Sequence, residues 1–209
     1  TSPPHSITAS MVVALLIGVT GLAEVAAQIT QSGTRPMTFL DAQEFARPGS
    51  WTPSPDGRWM LYTVSTPDWQ EGESQSDIHL VSMAAGLSSS RQMTYTDDKN
   101  EMSPTWSRDG SFFVFASNRD ASAGESQESQ LYFMRPDGGE ARRLTDTAEG
   151  VSDFAFSQDG RWLVYRSGAS GQEQLFRLPI DGILTGSPEQ LTDVSAGIRA
   201  RDRATTSVV

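Results

Sequence analysis

Two strands and one turn can be read from the segment Ser103-Pro104-Thr105-Trp106-Ser107-Arg108-Asp109-Gly110-Ser111-Phe112-Phe113-Val114-Phe115-Ala116-Ser117-Asn118-Arg119. The dipeptide Asp109-Gly110 predicts a hairpin turn, because glycine adopts positive φ freely and aspartate can hydrogen-bond its own backbone. The following run from Phe112 to Ala116 is apolar throughout, whereas a half-buried strand alternates apolar with polar residues. Both faces of this strand should therefore be covered by protein, as they are in a stack of sheets.

The same turn motif occurs twice more along the chain. Ser54-Pro55-Asp56-Gly57 and Ser157-Gln158-Asp159-Gly160 each precede a run that begins with Arg-Trp and is rich in apolar residues. Asp109 follows Asp56 by 53 positions, and Asp159 follows Asp109 by 50. A repeat of about 50 residues is typical of the blades of a β-propeller.

Two further strand patterns keep the same spacing. The first follows each hairpin, at residues 77–81, 130–134 and 174–178. The second closes each unit, at residues 92–94, 143–146 and 190–193. The sequence therefore predicts an all-β fold, namely a partial β-propeller of three four-stranded antiparallel blades preceded by a short helix.

Composition restricts the possible partners. The chain of 209 residues has a formal charge of −10 and a hydrophobic fraction of 37%. The apolar content is sufficient for a core, while the negative charge argues against nucleic acid or an anionic membrane surface as a partner. Cysteine is absent, so neither a disulfide framework nor a thiolate metal site can form.

The segments outside the repeats have different compositions. We interpret residues 1–10 as a ragged start and residues 11–27 as a signal peptide cleaved before Gln28, with a membrane anchor or a buried helix as alternatives. Residues 28–48 read as a linker and a short helix that has Thr38 as its N-cap and Asp41 three positions later. Blades 1 to 3 occupy residues 49–195. Residues 196–209 read as a truncated or aberrant tail, and the signal predicts a secreted or periplasmic protein.

Two consequences follow for the surface. The polar segments 65–76 and 120–129 are predicted to be long surface loops, where partners of repeat proteins are commonly bound. Three consecutive blades leave one face of the first and one face of the third without a neighbour. This exposure predicts that the chain alone forms a soluble oligomer or is only partly folded.

Five sequence segments resemble the N-terminal propeller of the prolyl oligopeptidase family of serine peptidases, particularly its acylaminoacyl-peptidase and dipeptidyl-peptidase-like members. The likeness covers about residues 37–195, and its blade repeats are also similar to those of TolB-like propellers. These segments are Thr38-Phe39-Leu40-Asp41, Ser54-Pro55-Asp56-Gly57, Tyr62-Thr63-Val64-Ser65-Thr66-Pro67-Asp68-Trp69, Ser76-Asp77-Ile78-His79-Leu80-Val81 and Gly139-Glu140-Ala141-Arg142-Arg143-Leu144-Thr145-Asp146.

The resemblance implies a non-catalytic, substrate-gating propeller from a secreted peptidase that acts on peptides. In that family an α/β-hydrolase domain follows the propeller, and none of its motifs is found in this chain. The implied partners are peptide substrates of the parent enzyme, together with the remaining blades and the hydrolase domain of the same polypeptide. One alternative is a TolB-like periplasmic propeller that acts as a protein-binding scaffold. Another is a lyase-associated or surface-associated propeller with an unknown ligand.

No catalytic, cofactor-binding or metal-binding residue is assigned from the sequence. The segment Gly168-Ala169-Ser170-Gly171-Gln172 lacks the last glycine of a nucleophile elbow. The two histidines are His5, in the ragged start, and His79, which reads as an ordinary strand residue. No serine therefore has an evident general base.

Two acidic patterns have both a functional and a structural interpretation. The repeated Asp56, Asp109 and Asp159 suggest calcium, although each precedes a glycine in a predicted turn, which explains them without a metal. The acidic run formed by Asp68, Glu71, Glu73 and Asp77 could receive the amino terminus of a peptide substrate. We favour a solvated loop as the interpretation of that run.

Overall fold

The computed structural model describes residues 35–68, 72–122, 127–181 and 186–198. These ranges contain one short helix, α1 (Phe39–Gln43), and twelve strands. The strands are β1 (Arg47–Pro53), β2 (Trp59–Asp68), β3 (Glu73–Ser82), β4 (Gly86–Gln92), β5 (Glu101–Trp106), β6 (Phe113–Ser117), β7 (Gln130–Arg135), β8 (Gly138–Arg143), β9 (Val151–Phe156), β10 (Trp162–Ser167), β11 (Gln174–Pro179) and β12 (Glu189–Gln190). Across the described residues, no helix has the length and apolarity that a membrane crossing requires.

The strands form three separate four-stranded sheets, each connected in sequence order. Blade 1 contains β1 to β4, blade 2 contains β5 to β8 and blade 3 contains β9 to β12. The pairings within all three sheets are antiparallel. The predicted partial propeller of three four-stranded blades is therefore confirmed.

The three Ser-x-Asp-Gly turns share one hydrogen-bond pattern. In blade 3 the amide of Gly160 donates to the Ser157 carbonyl at 2.9 Å, and the amide of Ser157 donates to the Trp162 carbonyl at 2.8 Å. The Asp159 carboxylate accepts bonds from the Ser157 hydroxyl at 2.6 Å and from the Arg161 amide at 3.0 Å. Gly160 has a φ of 70°, which an L-residue with a side chain rarely adopts. Serine, aspartate and glycine thus each have a separate role in reversing the chain.

Turns of neighbouring blades also pack on one another. An ideal Cβ placed on Gly110 would lie 3.5 Å from Cδ of Pro55 in the preceding blade. A Cβ on Gly160 would lie 3.0 Å from Cδ of Arg108. In blades 1 and 2, the second residue of the turn therefore lies against the turn glycine of the next blade.

We expect Gly160→Ala to destabilise the fold more than Gly57→Ala does. Both glycines have φ near 70°, so each alanine should cost about 1–2 kcal/mol through left-handed strain. A Cβ on Gly57 has no atom within 4 Å, whereas one on Gly160 would press on Arg108. Urea unfolding of both variants measures the difference. Arg108→Ala in the Gly160→Ala background should reduce this difference without abolishing it, because Cδ of Arg108 is lost while its Cβ, 3.1 Å from the added Cβ, remains. Equal midpoints for the two single variants would contradict the packing of successive turns.

The core consists of two clusters, one between each pair of neighbouring blades. Strand β6 contributes to both, because Phe113 and Phe115 pack in the cluster with blade 1 while Val114 and Ala116 pack in the cluster with blade 3. These four side chains are at most 9% exposed. The prediction that this strand is covered on both faces is confirmed. We call the side of a blade that contacts the next blade its forward face and the opposite side its backward face.

In each blade, a threonine that follows the fourth strand is hydrogen-bonded to the third strand. In blade 2 the Thr145 hydroxyl accepts the Leu131 amide at 2.9 Å and donates to Oε1 of Gln130 at 2.8 Å. The same arrangement recurs with Thr94, Ile78 and Asp77 in blade 1 and with Thr192, Leu175 and Gln174 in blade 3. Hydrogen bonding of these groups satisfies polar atoms at the edge of the core.

One predicted loop is wrong. Most of segment 65–76 is strand, because β2 and β3 stay paired from Ser65↔Ser76 to Asp68↔Glu73. Cross-strand hydrogen bonds therefore extend beyond the apolar part of this hairpin, into residues whose polar composition indicated a loop.

The capping interaction predicted for α1 is present. The amide of Asp41 donates to the Thr38 hydroxyl at 3.2 Å, and the amide of Thr38 donates to the Asp41 carboxylate at 2.7 Å. The side chain of Arg35 pairs with Asp41 and is the main reason that the pKa of this carboxyl is lowered. The signal segment 11–27, His5, Trp69, Glu71 and the tail from residue 199 lie outside the described residues.

Candidate functional site

The two ends of each blade differ in chemistry. The Ser-x-Asp-Gly turns lie at one end, which we call the turn end. At the opposite end of blade 2, β5 and β7 begin while β6 and β8 finish, and this polar end carries Glu101, Ser117, Gln130 and Arg143. Because the strands are antiparallel and consecutive, these four side chains, which are distant in the sequence, lie at the same end of the sheet.

A buried ion pair lies at the polar end. Glu101 is fully buried, and its Oε1 accepts hydrogen bonds from Thr96, Ser117 and Arg119. The guanidinium of Arg119 is 2.9 Å from this oxygen. The Ser76 hydroxyl of blade 1 donates to the Glu101 carbonyl at 3.1 Å, so the site joins two blades. Among the described residues, Oε2 of Glu101 has no hydrogen-bond partner.

Aromatic rings keep Arg119 in place. Its guanidinium carbon lies 5.2 Å from the ring centre of Phe115 and 5.1 Å from that of Tyr132. Both distances are within the range of cation–π attraction. The rings also shield the ion pair from water, which strengthens its electrostatic attraction.

Tyr132 links this pair to a second group of charges. Its hydroxyl donates to the Asp120 carboxylate at 2.7 Å, and Arg143 lies 3.7 Å from the same carboxylate. Burial raises the pKa of Tyr132, and the hydrogen bond to Asp120 raises it further. Arg143 also pairs with Asp146 at 2.7 Å. Tyr132 is therefore a neutral hydrogen-bond donor at physiological pH.

A cavity of about 210 Å³ opens beside these residues. Its walls carry carboxylate, guanidinium, amide and hydroxyl groups from Asp120, Arg143, Gln130, Thr147, Asn118 and Ser117. Groups of this kind can bind the charged ends and the amides of a short peptide. We treat this cavity as the candidate site.

Ser170 and His79, the serine and histidine that the sequence analysis considered as nucleophile and base, lie in different blades. Ser170 lies in the exposed turn between β10 and β11 of blade 3. His79, the one histidine in the described residues, lies in β3 of blade 1 and stacks on Tyr62 with ring centres 5.4 Å apart. Its position in the sheet matches that of Tyr132 in blade 2 and Phe176 in blade 3.

The two acidic patterns are separated as well. Asp56, Asp109 and Asp159 lie in turns of three different sheets, each bonded to a serine hydroxyl two positions earlier. In the acidic run, Asp68 and Glu73 are exposed, whereas Asp77 is buried and bonds Thr94 and Gln75. Burial raises the pKa of Asp77, and the negative charge of Glu101 adds to this effect. The described residues contain no group of three His, Cys, Asp or Glu side chains suited to a metal ion.

Sequence reasoning missed the Glu101 and Arg119 pair. The two residues are 18 positions apart, and neither lies in a recognised catalytic motif. One signal was present, because a glutamate at the start of a core strand needs a partner when it is buried.

We expect Arg119→Met to destabilise the fold by about 3–5 kcal/mol, because it leaves Glu101 as an unpaired buried charge. Adding Glu101→Gln should recover most of that loss. The matched control is Arg135→Met, which breaks the exposed pair with Asp137 and should change stability by at most about 0.5 kcal/mol. Urea unfolding at a fixed protein concentration measures five chains: the unsubstituted protein, Arg119→Met, Glu101→Gln, the double variant and Arg135→Met. Additive effects of the two substitutions at positions 101 and 119 would contradict the coupling.

His79 should make the fold sensitive to mild acid. Burial lowers the pKa of His79, and the nearby Asp77 charge only partly opposes this. An unfolded histidine has a pKa of about 6.5, so below that pH protonation favours the unfolded chain. His79→Phe should therefore stabilise the protein at pH 5.5 more than at pH 7.5. A gain that is equal at both pH values would show that His79 is not held neutral by the fold.

Comparison with known proteins agrees with the sheets and their repeats. No family profile matches the sequence. Dipeptidyl-peptidase 5 of Porphyromonas endodontalis is 29% identical over 120 residues, which are 57% of this chain and 16% of that protein. The uncharacterized peptidase YuxL of Bacillus subtilis is 36% identical over 108 residues, which are 51% of this chain and 15% of that protein. The chain thus spans under a fifth of the length of these two relatives.

Solved structures that are similar to this chain indicate the same class of fold. A TolB structure from Agrobacterium tumefaciens is 31% identical with a TM-score of 0.50, and the match covers 70% of this chain and 47% of that one. The β-propeller domain of the Trilobed protease from Pyrococcus furiosus has a TM-score of 0.52 at 15% identity, with 76% and 47% covered. The described sheets are blades of a β-propeller. The predicted resemblance to prolyl oligopeptidase-family propellers with TolB-like repeats is confirmed.

Proposed function

We propose that this chain is the non-catalytic propeller portion of a secreted serine peptidase of the prolyl oligopeptidase family, and that it gates the access of peptides to the catalytic site. The similarity to two curated proteins named as peptidases carries the proposal. Peptide substrates follow from the names of those proteins. Export follows from the interpretation of residues 11–27 as a signal peptide.

The chemistry of the polar end supports a role in peptide recognition. Asp120 offers a carboxylate to the amino group of a peptide, and Arg143 offers a guanidinium to a peptide carbonyl or carboxylate. Both side chains are partly exposed, at 53% and 37% respectively, so a ligand can reach them. Neither group is a nucleophile with a base beside it, which is consistent with selection of peptides without cleavage.

A TolB-like scaffold that binds folded proteins is the second candidate. Its support is the 31% identity to the TolB structure from Agrobacterium tumefaciens. The two functions differ in ligand, since a gate interacts with short peptides and a scaffold with protein surfaces.

Fluorescence anisotropy with labelled short peptides that have a free amino terminus tests the proposal. We expect saturable binding that Asp120→Asn weakens about tenfold, which corresponds to about 1.4 kcal/mol. Asp137→Asn is the matched control, because Asp137 is also exposed and paired with an arginine but lies at the turn end. The chain should not hydrolyse dipeptidyl or acylaminoacyl reporters. Absence of peptide binding would contradict gating and favour the scaffold, and turnover that a serine-directed inhibitor abolishes would contradict the non-catalytic role.

A further inference from the structure

The dipeptide Asp-Gly occurs five times in the chain, at residues 56–57, 109–110, 137–138, 159–160 and 181–182. An Asp-Gly peptide bond is chemically labile. The glycine amide is not hindered by a side chain, so its nitrogen can attack the carboxyl carbon of the preceding aspartate. The structure describes both residues of the first four pairs, three of which lie in the Ser-x-Asp-Gly turns and one in the turn between β7 and β8.

The Ser-x-Asp-Gly turns hold their carboxylates by two hydrogen bonds each. In blade 2 the Asp109 carboxylate accepts the Ser107 hydroxyl at 2.7 Å and the Ser111 amide at 3.1 Å. The same two bonds are made in blades 1 and 3. Attack by the glycine nitrogen requires the carboxyl group to rotate until its carbon faces that nitrogen. The two hydrogen bonds oppose this rotation.

The turn between β7 and β8 lacks this restraint. Arg135 stands where the other turns have serine, and it pairs with Asp137 at 3.1 Å through side chains that are 66% and 68% exposed. Among the described residues, the Gly139 amide does not bond to the Asp137 carboxylate. An exposed ion pair is weak, because water competes for both of its groups. The Asp137 carboxyl group is therefore freer to rotate toward the Gly138 nitrogen than its three counterparts are.

The same turn has room for a change in its main chain. Gly138 and Gly139 have φ of 110° and 103°, and a Cβ on either would have no atom within 4 Å. By contrast, a Cβ on Gly160 would lie 3.0 Å from Arg108. A five-membered ring that joins Asp137 to Gly138 therefore meets less steric resistance than one in the turn of blade 3.

We propose that Asp137 is a site of isoaspartate formation in the folded protein, and that the Ser-x-Asp-Gly turns are protected from this modification. The Gly138 nitrogen bonds to Cγ of Asp137, the Cγ–OH bond breaks, and one water leaves with the amide proton. Hydrolysis of the resulting succinimide takes up one water again. Breaking the new N–Cγ bond restores aspartate, whereas breaking the original peptide bond leaves isoaspartate. The proposal concerns covalent chemistry and does not depend on the proposed peptide gate.

Isoaspartate at this turn changes a point at which two blades meet. The β-carbon of residue 137 becomes part of the main chain, which lengthens the hairpin by one atom. The preceding residue, Pro136, accepts a hydrogen bond at its carbonyl from the Arg91 side chain on β4 of blade 1. The modification therefore lies next to a hydrogen bond between blades 1 and 2.

The reaction should be faster in mild acid, because a protonated carboxyl group loses water more readily than a carboxylate does. The hydrogen bond from Arg135 is the main reason that the pKa of Asp137 is lowered, and the charge of Arg91 on β4 adds to this effect. Arg135→Met should therefore raise the protonated fraction of Asp137 at pH 6 and accelerate isoaspartate formation there.

Peptide mapping by mass spectrometry during incubation of the full chain at pH 6 tests the proposal, with labelling by an isoaspartate methyltransferase as a second readout. We expect isoaspartate to form at position 137 on the order of tenfold faster than at positions 56, 109 and 159, because two additional hydrogen bonds must break there. In urea, where the fold restrains none of them, the four positions should react at similar rates.

Two variants test the cause of the difference. Asp137→Glu should abolish the product at this position, because the longer side chain cannot close the five-membered ring. Ser157→Ala removes one hydrogen bond to Asp159 and should accelerate the reaction at position 159 alone. Circular dichroism of each variant establishes that the fold is retained.

Either of two results would overturn the proposal. Equal rates at the four positions without urea would mean that the serine turns give no protection. Formation in urea but at none of the four positions without urea would mean that the fold protects Asp137 as well. If Ser157→Ala loses the circular dichroism of the unsubstituted chain, the comparison of the four positions in the unsubstituted chain and the rate in Arg135→Met decide the outcome, because Arg135→Met removes only an exposed pair.

Discussion

Burial between neighbouring sheets is the interaction on which the rest of the structure depends. Strand β6 has apolar side chains on both faces, with Phe115 against blade 1 and Val114 against blade 3. A single blade cannot bury either face alone, so the stability of each sheet comes largely from its neighbours. The hairpin turns bring successive strands into register for this packing, and the contacts between Arg108 and Gly160 extend the register from one blade to the next.

The polar end of blade 2 is organised by the same packing. Glu101 and Arg119 can form a buried pair because Phe115 and Tyr132, which belong to the cluster with blade 1, cover the guanidinium. Tyr132 then connects the apolar cluster to Asp120 at the surface. Displacement of blade 1 should therefore affect the charges around the cavity as well as the core. The geometry of the candidate site is a consequence of contact between blades.

The sequence predicted those features of the fold that depend on local or periodic patterns. The turns, the strand spacing and the double-sided burial of Phe112 to Ala116 depend on neighbouring residues and on a repeat, both visible in the chain. The paired extension from Ser65 to Asp68 escaped it, because cross-strand hydrogen bonds stabilise polar residues that resemble a loop. The link between Glu101 and Arg119 escaped it because strand pairing brings these distant residues together.

The three blades share their turns but differ in their faces, and this difference has a physical meaning. The turn geometry is nearly invariant, with φ of 69°, 71° and 70° at Gly57, Gly110 and Gly160. The forward faces change from aliphatic in blade 1 to arginine-bearing in blade 3, where the Arg177 guanidinium carbon lies 4.0 Å from the ring centre of Trp162. Turns therefore set the blade shape, and faces determine which sheet can pack beside it. Arg166, on the same face, has a buried Nε atom without a hydrogen-bond partner among the described residues. Because a purely apolar neighbour would leave this nitrogen unpaired, the face of blade 3 discriminates against sheets that would suit blades 1 and 2.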